Sequence, residues 1–205
     1  MRGLSTWAVL AAITAAPAGA ETVKLTLLGV GDVYNFQEED GRGGFARLNA
    51  VAKAERAANP NTLYLFNGDM LSPSLASGFD QGQNTIDFTN LVPFDLAVPG
   101  NHEYDFGPEN FAEKMKASKY PWAAVNITNG DGSPVEGLGG VMVKEVAGLK
   151  IALIPLAQDT SPEVSSTGSL KFLPTVETGV AAAQKAREDG ADIVVAVAQT
   201  DMEND

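Results

Sequence analysis

Phe94-Asp95-Leu96-Ala97-Val98-Pro99-Gly100-Asn101-His102-Glu103-Tyr104-Asp105 is the stretch from which the fold is read, and it holds the only histidine of the 205 residues. Residues 94–98 form a short, largely apolar run, and the Pro99-Gly100 step that ends it is a turn signal. Asn101 and His102 are therefore expected on a loop just beyond the carboxyl end of a buried strand. Open α/β sheets bind their ligands at that edge.

Two other segments share this grammar: residues 25–30 run into Gly31-Asp32, and residues 63–66 run into Asn67-Gly68-Asp69. On neighbouring parallel strands, Asp32, Asp69 and Asn101 would converge at one sheet edge as oxygen donors. Two carboxylates so placed raise each other's pKa unless a cation lies between them, which makes a metal site the economical reading. Taken singly, Gly-Asp is a turn signature, because Asp bonds its own backbone and Gly supplies positive φ. One histidine, too, is more often a surface or core residue than a catalyst. Three such loops in succession, with Asp105 a turn away from His102, favour the joint functional reading.

These blocks, Gly31-Asp32-x-Tyr34, Gly68-Asp69 and Gly100-Asn101-His102-Glu103-Tyr104-Asp105-Phe106-Gly107, resemble in order and spacing those of the calcineurin-like metallophosphoesterases, most closely the 5'-nucleotidase branch. The resemblance runs from about Val23 to the last residue. It implies an α/β fold of the αββα sandwich type with mixed sheets. It also implies two divalent cations (Mn, Zn, Fe, Mg or Ca) held roughly 3.5 to 4 Å apart by a bridging carboxylate. By resemblance Asp32 belongs to the first metal, Asp69 bridges both, and Asn101 gives a carbonyl oxygen to the second. His102 stabilises the transferring phosphoryl group or protonates the leaving oxygen, oriented by Asp105, while Glu103 is a structural hydrogen-bond partner. Two positions depart from the pattern. Tyr34 stands where the family has a histidine ligand, and it could lie behind the metal, ligate as a phenolate, or mark a weakened site. Gln199 stands where another metal-binding histidine is expected. The sequence stops at Asp205, before the family's last histidine ligands, so the sandwich is expected to be incomplete at its carboxyl end and the chain a piece of a longer one.

Arg2, the apolar residues 4–16 and Pro17-Ala18-Gly19-Ala20 read as a secretory leader, with residues 21–205 as the phosphoesterase domain. The apolar part is shorter than the about 20 residues of a membrane span. Export to the periplasm or medium, without membrane insertion, is expected. Losing residues 1–20 removes Arg2 and no acid, so net charge moves from −12 to −13. Such acidity disfavours nucleic acid or anionic membrane as a general partner. A small phosphorylated substrate, of which a nucleotide is the one implied, can still bind, because local cations outweigh the global field. Zero cysteines exclude disulfides and thiolate ligands and leave oxygen and imidazole donors.

Elsewhere the pattern predicts helices over 45–58, 85–91, 108–118 and 176–188, and strands over 122–125 and 193–198. A hairpin is predicted from 141–146 and 150–155. Residues 70–82 and 158–168 read as loops. Arg42 is either an exposed charge or a phosphate contact near a helix start. Asn126 is a turn residue or, by resemblance, a neighbour of the cleft. Two readings of function stay open. One is a metal-dependent phosphoester hydrolase with water attack at a two-metal centre. The other is an exported domain that keeps the fold and a weak metal or ligand site but is catalytically impaired, as Tyr34 and Gln199 suggest. No Gly-x-Gly-x-x-Gly follows the first strand, so nothing supports a dinucleotide-dependent oxidoreductase.

Overall fold

The computed structural model describes residues 22–38 and 40–200. The expected leader and residues 201–205 lie outside the described residues. Five strands, β1 (Thr26–Val30), β2 (Thr62–Phe66), β3 (Leu96–Ala97), β4 (Trp122–Ala123) and β6 (Leu138–Gly139), form one sheet in that order. Every neighbouring pair in it is parallel. A second sheet has the order β10 (Ile193–Ala198), β8 (Leu149–Leu156), β7 (Met142–Val146), parallel between β10 and β8 and antiparallel across the predicted hairpin. Only this second large sheet is mixed. A small pair, β5 (Ile127–Thr128) with β9 (Lys171–Phe172), runs antiparallel.

Alternation along the strands sets the layers, because successive side chains leave a strand on opposite faces. Leu63, Leu65, Leu96 and Val98 point one way and meet Ile151, Leu153 and Val197 of the second sheet. Tyr64, Phe66 and Ala97 point the other way, against Ala52 of α1 (Phe45–Ala58), Ile86 of α3 (Gln83–Thr89), and Phe111 and Met115 of α4 (Pro108–Ala117). Ala152, Ile154 and Leu156 on the outer face of β8 pack against Ala182, Ala183 and Ala186 of α6 (Thr175–Glu188). The result is a helix, sheet, sheet, helix sandwich. Full burial of each large side chain such as Phe66 or Leu153 is worth about 1.5–3 kcal/mol.

Some elements differ from the sequence reading. β3 is only two residues, because Asp95 meets Tyr64 through one backbone bond and one from the Tyr64 N–H to its own carboxylate, which also accepts from Arg56. Both expected loops contain a single helical turn, α2 (Ser77–Asp80) and α5 (Ser161–Val164). α3 starts before Thr85, since the Asp80 carboxylate caps it by accepting the N–H groups of Gly82 and Asn84. β4 ends at Ala123 rather than at residue 125, although the Val125 N–H still reaches Pro155. Among the described residues, no helix is long and apolar enough to cross a membrane.

What matters for the site is register. Val30 lies opposite Phe66, and Phe66 opposite Ala97. The loops after β1, β2 and β3 therefore leave the sheet side by side.

Candidate active site at the carboxyl edge of the parallel sheet

Asp32 and Asp69 both adopt left-handed backbone, with φ of 54° and 70°. Asp tolerates this conformation better than most residues, and its use twice at one edge costs free energy that the packing must hold in place. The Asp32 N–H donates to Gly68 O and the Val33 N–H to Asp69 O, each at 3.0 Å, which laces the first loop to the second. The second loop abuts the third. A Cβ on Gly68 would meet Gly100 backbone at 3.0 Å, and one on Gly100 would meet Asp69 Oδ1 at 2.2 Å and Gln199 Oε1 at 2.5 Å. A side chain at 100 would thus have to displace two oxygens that converge on it.

Glu103 fastens these loops from below. It is fully buried and accepts the N–H groups of Gly100 (2.6 Å), Met70 (2.8 Å), Asp69 (2.9 Å) and Leu71 (3.3 Å). Burial, then the charge of Asp69, pushes its carboxyl up to about 7, while the N–H donors favour the ionised form.

His102 sits in a short 3₁₀ turn (Asn101–Glu103), which also carries half-buried Asn101 to the same edge. Its backbone N–H donates to Asp69 Oδ1 at 2.9 Å, and its ring Nδ1 lies 2.6 Å from Asp105 Oδ2. Ser72 Oγ touches both Nδ1 (3.2 Å) and Asp105 Oδ2, and Ser165 Oγ donates to Asp105 Oδ1 at 2.7 Å. Burial pulls the imidazole pKa down, but the Asp105 hydrogen bond and the charges of Asp69 and Asp105 outweigh it, so the net shift is upward. Burial pushes Asp105 up, yet its bonds to His102, Ser72 and Ser165 bring it below the usual carboxylate value. The carboxylate thus favours the charged ring, and with Nδ1 committed to Asp105 and Ser72 the ring nitrogen left for a ligand is Nε2.

Tyr34 donates its hydroxyl to Asp32 Oδ1 at 2.7 Å and sets its ring edge-on to His102, with centroids 5.6 Å apart. Burial, and then that hydrogen bond, pushes the phenol well above its ordinary range, which disfavours a phenolate ligand. Gln199, at the end of β10, donates Nε2 to Asp69 Oδ2, and its Oε1 is buried without a partner. Asn67 joins the two sheets here by donating to Ala198 O at 3.3 Å. Asp69 is 3% exposed; burial raises its carboxyl pKa, and Asp32 adds to the rise against the opposing His102 bonds.

The edge therefore brings together Asp32, Tyr34, Asp69, Asn101, His102, Asp105 and Gln199. Arg42 is exposed and lines a cavity of about 690 Å³ together with Asp32, Tyr34 and Gly44. Across Tyr34 lies a second cavity of about 550 Å³, walled by Phe36, Leu75, Phe79 and Asn84. Asn126 lies in the turn that follows β4, as expected of an Asn closing a strand. Fully buried, it brackets Ala157 and Leu173 through bonds of 2.7, 3.0 and 3.2 Å. Ser72 and Ser165 carry no sequence signal, because they reach Asp105 from 33 and 60 residues away.

The donor chemistry decides how well divalent cations fit. Asp32 and Asp69 repel, and the unpartnered Gln199 Oε1 is an oxygen with no bond to lose. With Asn101 these residues suit one oxygen-ligated cation. A two-cation centre with imidazole ligands does not fit. The groups standing at the two histidine positions are hydrogen-bond donors to the very carboxylates that would ligate. Among the described residues, no group of three or more His, Cys, Asp or Glu could hold a metal.

Comparison with known proteins agrees with the fold. The chain is 27% identical over 165 residues to an apyrase of Tabanus yao, covering 80% of this chain and 30% of the relative. It is 25% identical over 211 residues to a 2',3'-cyclic-nucleotide 2'-phosphodiesterase/3'-nucleotidase of Haemophilus influenzae, covering 89% and 32%. The solved NAD nucleotidase of Haemophilus influenzae superposes with a TM-score of 0.80 over 88% of this chain and 39% of its own, at 24% identity, a likeness of fold. The chain thus spans about a third of the length of the curated relatives it matches. Residues 25–198, nearly all of the described span, match the calcineurin-like phosphoesterase family, and the chain belongs to that family.

Proposed function

We propose that this edge binds a small phosphorylated substrate of the nucleotide class and hydrolyses its phosphoester with a divalent cation. The observation that carries the reading is the His102–Asp105 pair set beside Asp32 and Asp69 at the carboxyl ends of adjacent parallel strands. Asp32, Asp69, Asn101 and Gln199 are the residues that would hold the cation, and the cation supplies Lewis-acid stabilisation of phosphoryl charge and a water of lowered pKa. His102 presents the Nε2 proton to a phosphoryl oxygen or to the leaving oxygen. Asp105, fixed by Ser72 and Ser165, holds that proton on the ring and keeps the ring in register. Arg42, on the rim of the Asp32 cavity, adds positive charge to a site otherwise acidic. Nucleotides are the proposed class because the relatives named above act on them by their names. Export is proposed from the leader-like residues 1–20.

A second reading has its own support. The Tyr34 bond to Asp32 and the Gln199 bond to Asp69 favour a domain that retains binding but has lost most turnover. Phosphate release from AMP and from p-nitrophenyl phosphate, measured on the purified chain with Mn²⁺, Mg²⁺ or EDTA, separates the two. Turnover that needs the cation and is lost in His102→Ala supports the hydrolase. Retained binding of AMP with no phosphate release supports the impaired domain.

A further inference from the structure

We infer that the centre of this chain takes one hard divalent cation on oxygen donors alone, and that Tyr34 and Gln199 stand in for the second cation of the family centre. The inference rests on the reading of this edge as a cation site given above.

A carboxylate that bridges two cations must give an oxygen to each. In Asp69, Oδ1 already accepts the backbone N–H of His102, whose position the 3₁₀ turn and Glu103 fix, which leaves that oxygen one lone pair. Its other oxygen accepts from the side-chain amide of Gln199. Asp32 likewise has Oδ1 occupied by the Tyr34 hydroxyl. Hydrogens of Tyr34 and Gln199, not imidazole nitrogens, thus stand against the two carboxylates, so the donors that would complete the shell of a second cation are missing. Gln199 can add an oxygen to the first only by turning its amide over. Turning breaks the Nε2 bond to Asp69 Oδ2 and sets an oxygen beside that carboxylate, so it is favourable only with a cation between them. Charge counts the same way: one divalent cation balances Asp32 and Asp69, while Asp105 is committed to His102 and Glu103 to backbone N–H groups. Carboxylate and amide oxygens suit Mg²⁺, Ca²⁺ or Mn²⁺, and the lack of imidazole and thiolate removes the usual preference for zinc.

The test uses metal-stripped protein, titrated with Mn²⁺ and counted by electron paramagnetic resonance, and separately titrated with Zn²⁺ by calorimetry. We expect one Mn²⁺ per chain with the spectrum of an isolated ion. Two per chain with exchange-coupled lines would overturn the inference, as would none. Gln199→His adds an imidazole at the position in question and is expected to tighten zinc on the order of tenfold or more. Unchanged zinc affinity in a folded variant would overturn the role given to Gln199, and the wild-type count decides the matter if that variant does not fold. Hydrolysis is scored apart from metal count. One bound Mn²⁺ without phosphate release refutes the hydrolase and leaves this inference standing, and two with turnover do the reverse.

Discussion

Replacing Glu103 with alanine would strand backbone donors of two converging loops at once. Its carboxylate accepts N–H groups at 2.6, 2.8, 2.9 and 3.3 Å, from Gly100, Met70, Asp69 and Leu71. Met70 and Leu71 are 1% and 0% exposed, so water cannot readily take over. A buried donor left unpaired costs about 1–3 kcal/mol, the longest bond counts least, and removing a buried charge returns part of the loss; the net expectation is about 3–5 kcal/mol. Urea unfolding with an unchanged m value reads this directly. Glu103→Gln keeps the volume but turns an NH₂ toward N–H donors, and should cost about 2 kcal/mol. The sign of the pH dependence follows from the carboxyl being raised from 4.5 to about 7 in the fold. A raised carboxyl binds its proton more tightly when folded, so the stabilisation it gives is full below pH 4.5 and is lost as pH rises through about 7. The glutamine variant should lack that decline. A loss below about 1 kcal/mol for Glu103→Ala would refute the claim that Glu103 fastens the loops.

Asp105→Asn should lower the pKa of His102, because the Asp105 hydrogen bond is the largest cause acting upward on it. In the proposed hydrolysis protonated His102 is the active form, so turnover would be lost as pH rises through its raised pKa, and the variant would move that loss to lower pH. Proton NMR of the single histidine checks this, and an unchanged titration would refute it. Asn126→Ala removes bonds of 2.7, 3.0 and 3.2 Å from a fully buried bracket and should cost about 2–3 kcal/mol in thermal unfolding. The His102 titration should stay where it is, since Asn126 holds Ala157 and Leu173 rather than the site.

The layers were legible because residues 25–30, 63–66 and 150–155 are near-continuous apolar runs, as strands covered on both faces require, and because the runs 25–30, 63–66 and 94–98 each lead into a glycine and an oxygen donor. Asp32, Asp69 and Asn101 could be placed on one edge from that pattern, which needs only parallel neighbours. The single turns at Ser77–Asp80 and Ser161–Val164 are too short to leave a helical period. Glu103, Ser72 and Ser165 act through partners far away in the chain, which no local pattern reports. Tyr34 and Gln199 were visible as departures from the family's histidines. That both turn their hydrogens on the Asp32 and Asp69 carboxylates is decided by side-chain geometry, not by spacing.

The central claim is that a divalent cation binds beside His102 on the Asp32 and Asp69 edge, and the lone histidine offers a clean probe of it. Substoichiometric Mn²⁺ added to the metal-free protein should broaden the His102 ring signals in the NMR spectrum, and Asp69→Asn should abolish the broadening. Ring signals that stay sharp at one equivalent of Mn²⁺ would contradict the account.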